Sequence, residues 1–157
     1  MLNAEQARAR PYMHQRAIDQ DEAFNEFATL YALRLSRSLT DITNAPADSW
    51  DLARHLLPIL GVEVPLRRCK VSRIASLLAE VRVPEPRRIG LAFENIGRLA
   101  SVLRLNEVEK GLLEMSVVAS HHGGLADALQ CISPRSRANA ARMLAGALDC
   151  DPLEVMR

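Results

Sequence analysis

Apolar residues return every three or four positions along most of this chain, and strict alternation never lasts beyond a few residues. That pattern predicts helices and no sheet. It is densest at Leu105, Val108, Leu112, Met115 and Ala119, where Leu113, Val117 and Val118 widen the stripe almost round the helix. A helix so nearly apolar all round needs others wrapped about it, so Glu107–Ala119 is expected at the centre of the fold. Only Glu107, Lys110, Glu114 and His121 form an outward polar line. Asn106, with Glu109 three residues on, matches a capping box at the start of this helix.

The same period places the other elements. Residues 1–20 are polar, charged and interrupted by Pro11, and read as a partly disordered arm; the helical domain is expected over 21–157. Asp21–Leu39 is a helix with Phe24, Phe27, Ala28, Tyr31 and Leu35 on one face. Asp48 is the expected cap of a second helix, whose face is Trp50, Ala53, Leu56 and Leu57 and whose end is marked by Pro58 and Gly61. Val71–Val81 follows with Ser72 as its cap. Then Arg87–Arg104 steps through Ile89, Phe93, Ile96, Ala100 and Leu103, with Pro86 in its first turn and Gly90 and Gly97 seven apart. His121-His122-Gly123-Gly124 is the turn before a short helix over Leu125–Ile132. Ser133-Pro134 opens a helix to Leu148, and Asp151-Pro152-Leu153-Glu154 opens another. The expected fold is all-α: a single multi-helix domain of seven or eight helices with a helix-turn-helix-like C-terminal end.

Composition narrows this little. With 157 residues and 48% hydrophobic residues there is enough for one real core. The aromatic fraction of 4% leaves that core to be built from Leu, Ala, Val and Ile. No signal peptide and no long apolar run is seen, so a cytoplasmic protein without a membrane partner is expected. Cys69, Cys131 and Cys150 form no C-x-x-C pair and imply neither a disulfide framework nor zinc.

The net charge of +1 selects no partner, but its distribution is uneven. Arg67–Arg104 carries nine basic and three acidic residues, a local excess of +6. Arg67, Arg68, Lys70, Arg73, Arg87 and Arg88 are therefore the candidate partner-binding residues. Aromatics do not interleave with them, which favours protein carboxylates over nucleic acid.

Chemistry is conspicuously thin. The phosphate-binding G-x-x-x-x-G-K-[ST] and the G-x-G-x-x-G patterns are absent. His121 and His122 are adjacent and so do not share a helix face, which suits capping rather than a metal. Glu107 and Glu114 with Lys110 between them form a charge ladder rather than a catalytic pair. No catalytic residue, cofactor-binding residue or metal ligand is proposed for this chain. The Leu144–Val155 spacing fits a helix-turn-helix, although Asp149 stands where that turn prefers Gly and Asp151 and Glu154 would face phosphates badly.

Three stretches carry a family resemblance: Leu103–Ala119, His122–Ile132 and Ser136–Val155. They are similar to the helical region ahead of the ATPase module in a group of bacterial AAA+ ATPases. There, a Leu-x-x-x-Glu-x-x-Leu-Leu helix precedes a short helix, an Ala-Arg-x-Leu-Ala-x-x-Leu helix and a Pro-x-x-x-Val start. Leu105, Glu109, Leu112, Leu113, Ala141, Arg142, Leu144, Ala145, Leu148, Pro152 and Val155 fill those positions. The resemblance covers about the last third of the chain and implies an ATPase module beyond Arg157. What it implies for this chain is a non-catalytic N-terminal domain that docks a partner, substrate or neighbouring subunit, with a homo-oligomer among the options. The alternative from the residues themselves is a nucleic-acid-binding module working through Arg67–Arg88 or the C-terminal helix pair; a free-standing enzyme ranks third.

Overall fold

Between Ala23 and Leu39 the first helix is buried on one side after another: Ala23, Phe24, Phe27, Ala28 and Tyr31 in its middle, then Ala32, Leu33, Leu35, Ser36 and Leu39. The structure, a computed structural model, describes residues 4–40, 48–64, 70–132 and 136–157, with side chains described from Gln20 onward except those of residues 40, 48, 49 and 71. Among these residues there are eight helices and no strand: α1 (Ala4–Thr40), α2 (Asp48–Ile59), α3 (Val71–Glu80), α4 (Leu91–Leu103), α5 (Glu107–His121), α6 (Gly123–Gln130), α7 (Arg137–Leu148) and α8 (Pro152–Val155). The fold is all-α, as the periodicity predicts. Helix α1 runs through Pro11 and Gln20 without a break, so arm and first helix share one element.

The centre is α1 rather than α5. Helix α1 packs on α2, α3, α5 and α7, whereas α5 packs on α1, α4, α6 and α7 and keeps Leu112, Leu113 and Val117 only half-buried. Both helices have four neighbours, and periodicity reports which side of a helix is apolar, not how closely its neighbours approach. Small residues decide that here. Ala23, Ala28 and Ala32 let other helices come close to α1, and Ala141, Ala145 and Ala147 do the same on α7. Where α1 and α7 cross, a Cβ at Gly146 would run into the Ser38 hydroxyl and stand 3.1 Å from its Cβ. Arg34 of α1 then donates to the Ala147 carbonyl at 3.2 Å, a cation at a helix C-terminus.

The caps follow the sequence in part. Asn106 and Glu109 form the expected capping box: Oδ1 of Asn106 accepts from the Glu109 amide at 2.9 Å, and Oε2 of Glu109 accepts from the Asn106 amide at 2.8 Å. The turn after α5 is tighter than four residues. His122 alone ends α5 and begins α6, its ring Nδ1 accepting from the Leu125 amide at 3.2 Å. Ser136 caps α7 and Asp151 caps α8; Ser133-Pro134 lies outside the described residues. Helix α3 departs from expectation, for Lys70 holds its N-cap position with no side-chain cap, and Ser72 is inside the helix. Asp149 takes φ 59°, ψ 48°, the left-handed conformation that a glycine would supply in the α7–α8 turn.

Helix α4 begins four residues later than the spacing predicts. Residues 81–90 form an extended connection, Gly90 sits at φ 102°, and Leu91 is the first helical residue. Gly90 leaves room for Gln20 of α1, whose Oε1 accepts from the Ala92 amide at 3.3 Å and so caps α4 from outside. A Cβ at Gly97, by contrast, would meet nothing within 4 Å. Pro86 is therefore a buried linker residue, and Ile89 and Leu103, expected inside, are both exposed.

Candidate docking surface

All three phenylalanines of the chain meet where α1, α4 and α5 come together. Phe93 packs against Phe24 at 5.4 Å and Phe27 at 4.9 Å between ring centroids, and the His121 ring stacks on Phe24 at 4.3 Å. Beside this cluster lies an ion pair with one buried member. Glu114, expected on the outward line of α5, is only 3% exposed. Its Oε2 accepts from Nε of Arg88 at 2.8 Å, and its Oε1 accepts from Nη2 of Arg88 at 3.3 Å and from the Tyr31 hydroxyl at 3.0 Å. The Arg88 guanidinium also stands over the Phe27 ring, 5.4 Å from its centroid. One linker residue thus bridges α1 and α5. Spacing could not show this, because the partners of Glu114 lie 26 and 83 residues away in sequence.

Tyr31 holds its proton far above the usual phenol range, first because it is buried and then because the Glu114 carboxylate is next to it. In the unfolded chain the same phenol ionises near about pH 10. A group whose folded pKa is raised contributes stability that is present below the unfolded pKa and lost above it. Stability is therefore expected to fall as pH rises past about 10, by up to roughly 1.4 kcal/mol per pH unit from this group. Tyr31→Phe should flatten that part of a stability-versus-pH curve measured by urea denaturation; an unchanged slope would mean that Tyr31 ionises in the folded state.

Four of the six candidate basic residues are described, and they differ in their surroundings. Arg88 is engaged inside the chain by Glu114. Arg87 is exposed; its amide donates to Oε2 of Glu26 at 3.3 Å, and the residue lines a recess of ≈ 160 Å³ with Glu22, Ala23, Glu26 and Ile89. Two carboxylates thus share that recess with one arginine. Lys70 and Arg73 lie at the start of α3, both exposed. Arg67 and Arg68 lie outside the described residues.

What stands out instead is the outer flank of α4. Phe93, Ile96 and Ala100 face the core. Leu91 and Val102, nearly opposite that face, and Leu99 and Leu103, on the flank between, are 60%, 78%, 45% and 57% exposed. Four of the six exposed large apolar side chains among the described residues lie on this one helix. The sequence did carry a signal for it: Leu91, Leu99 and Val102 form a second stripe beyond Phe93, Ile96 and Ala100. Packed on α5 and against Phe24 and Phe27 of α1, α4 buries the first stripe and leaves the second outside.

Among the described residues no group of three or more His, Cys, Asp and Glu is placed to hold a metal ion. No helix among them is long and apolar enough to cross a membrane. Burial, followed by nearby Glu154, Asp151 and Asp149, pushes the Cys150 thiol up, away from the reactive thiolate. Neither a protein-family model, nor a curated protein, nor a solved structure matches this chain.

Proposed function

We propose that this chain is a non-catalytic helical docking domain, and that it serves an AAA+ ATPase whose ATPase module follows it in the parent protein. The observation that carries the docking role is the exposed apolar flank of α4, clamped to the core by Phe93 and by the Arg88–Glu114 pair. The link to an ATPase is supported by the resemblance at Leu105, Glu109, Leu112, Leu113, Ala141, Arg142, Leu144, Ala145, Leu148, Pro152 and Val155. Most of these are packing positions, with Ala141 and Ala145 buried between helices. The nucleic-acid reading draws less support, since Arg88 is paired internally and the C-terminal helix opens with Asp151 and Glu154.

Two measurements test this. Titration of the chain with fluorescent ATP is expected to show no saturable binding below millimolar, given the missing phosphate loop; micromolar binding would overturn the non-catalytic reading. In the parent protein, Leu99→Asp with Val102→Asp is expected to abolish the association made by this domain while leaving its thermal midpoint unchanged. If every association of the parent survives, or if no phosphate-binding loop follows Arg157 in its reading frame, the docking role or the ATPase link fails respectively.

A further inference from the structure

The apolar flank of α4 has a self-complementary layout. Leu91, Asn95, Leu99 and Val102, with Leu103 at the end, step by four, four and three along one side of the helix, and all are exposed. The edge of this stripe away from the core carries Glu94 and Arg98, four residues apart and both exposed. Among the described residues neither takes part in an ion pair.

From this layout we infer that the α4 face pairs with a second copy of this chain, the two helices antiparallel about a two-fold axis level with Ile96. The inference rests on the reading of α4 as the docking surface and names its occupant. The argument is charge complementarity. In an antiparallel two-fold pair of helices, like edges face each other with their order reversed. Glu94 of one copy then meets Arg98 of the other, and Arg98 meets Glu94, giving two intermolecular pairs from one helix. A parallel pair would turn the charged edge towards the other copy's core-facing edge, where no such partner stands. In the antiparallel register Leu91 falls against Val102 and Leu103 of the second copy, so the ends of the stripe cover each other. Leu99 packs beside Asn95 near the axis, a polar residue that favours one register over sliding. One helix face is smaller than the roughly 800 Å² per partner of a standard interface, so the dimer is expected to be weak, in the micromolar range.

Analytical ultracentrifugation of the 157-residue chain at low salt tests this directly. A monomer–dimer equilibrium is expected. Val102→Asp should abolish it while circular dichroism stays unchanged, because that side chain is outside the core. Glu94→Arg and Arg98→Glu should each weaken self-association by about tenfold, since each replaces two attractive contacts with two repulsive ones. An equimolar mixture of these two variants should recover a heterodimer at least as tight as the parent dimer. A chain that stays monomeric at several hundred micromolar overturns the inference, as does a dimer indifferent to Val102→Asp. A dimer that is lost with Val102→Asp, but whose charge variants do not rescue each other, overturns the antiparallel register. A monomeric chain in a parent whose associations still depend on Leu99 and Val102 would sink this occupant and leave the docking role standing.

Discussion

Glu114→Ala is expected to lower the stability of the domain by about 2–4 kcal/mol, far more than truncating a solvated charge on a helix surface. The carboxylate is almost fully buried, and it is the common acceptor for Arg88 and Tyr31. Removing it strands the Tyr31 hydroxyl inside the core and leaves a gap between α1 and α5. Arg88, with a side chain 60% exposed, can turn to water and recover part of its loss. Arg88→Ala works from the other side, leaving a buried carboxylate with only the tyrosine to answer it, and should cost a similar amount. Chemical denaturation of both single variants and the double variant gives the coupling between them. Because the two share one hydrogen-bonded pair, the double variant should cost clearly less than the two singles together. Additive effects, or a cost for Glu114→Ala below about 0.5 kcal/mol, would show that the pair does not hold in solution.

Phe93→Ala is expected to cost about 3–5 kcal/mol, the range for emptying a buried aromatic site. Its ring stands between Phe24 and Phe27 of α1, and few other side chains hold α4 to the rest of the molecule. Two and a half turns further along the same helix, Val102→Ala should change stability by no more than about 0.5 kcal/mol, since Val102 is 78% exposed. Both substitutions remove apolar atoms from one helix, the first from its core side and the second from its exposed side. A loss of about 2 kcal/mol or more from Val102→Ala, read from urea unfolding curves with unchanged slopes, would mean that the outer flank of α4 is covered within the chain and is no docking surface.

These outcomes also separate what could be read along the chain from what could not. Helical class, the approximate order of elements, and the capping box of Asn106 and Glu109 depend on residues three or four positions apart, and such local chemistry is written in the sequence. So is the unusual role of Asp149, which can be spotted as a non-glycine in a position that wants a left-handed turn. The buried state of Glu114 could not be read this way. On a helical wheel it falls in line with Glu107 and Lys110, and only the approach of Arg88 and Tyr31 from distant segments makes its burial affordable.

The same limit applied to the docking surface. Counting charges gathered Arg87 and Arg88 into one basic patch, but the fold pairs Arg88 with the buried Glu114 and sets Arg87 beside a recess that Glu22 and Glu26 also line. Counting apolar residues found that α4 is amphipathic, but not that its apolar surface is wider than its neighbours can cover. By itself, then, the sequence determined that this is an all-α domain, where most helices lie and how several of them are capped, because these are matters of local spacing and hydrogen bonding. Only the tertiary structure decided that α1 lies at the centre, that Glu114 lies within, and that Leu91, Leu99 and Val102 lie without. Burial depends on which distant elements arrive, and no periodicity within one helix records that.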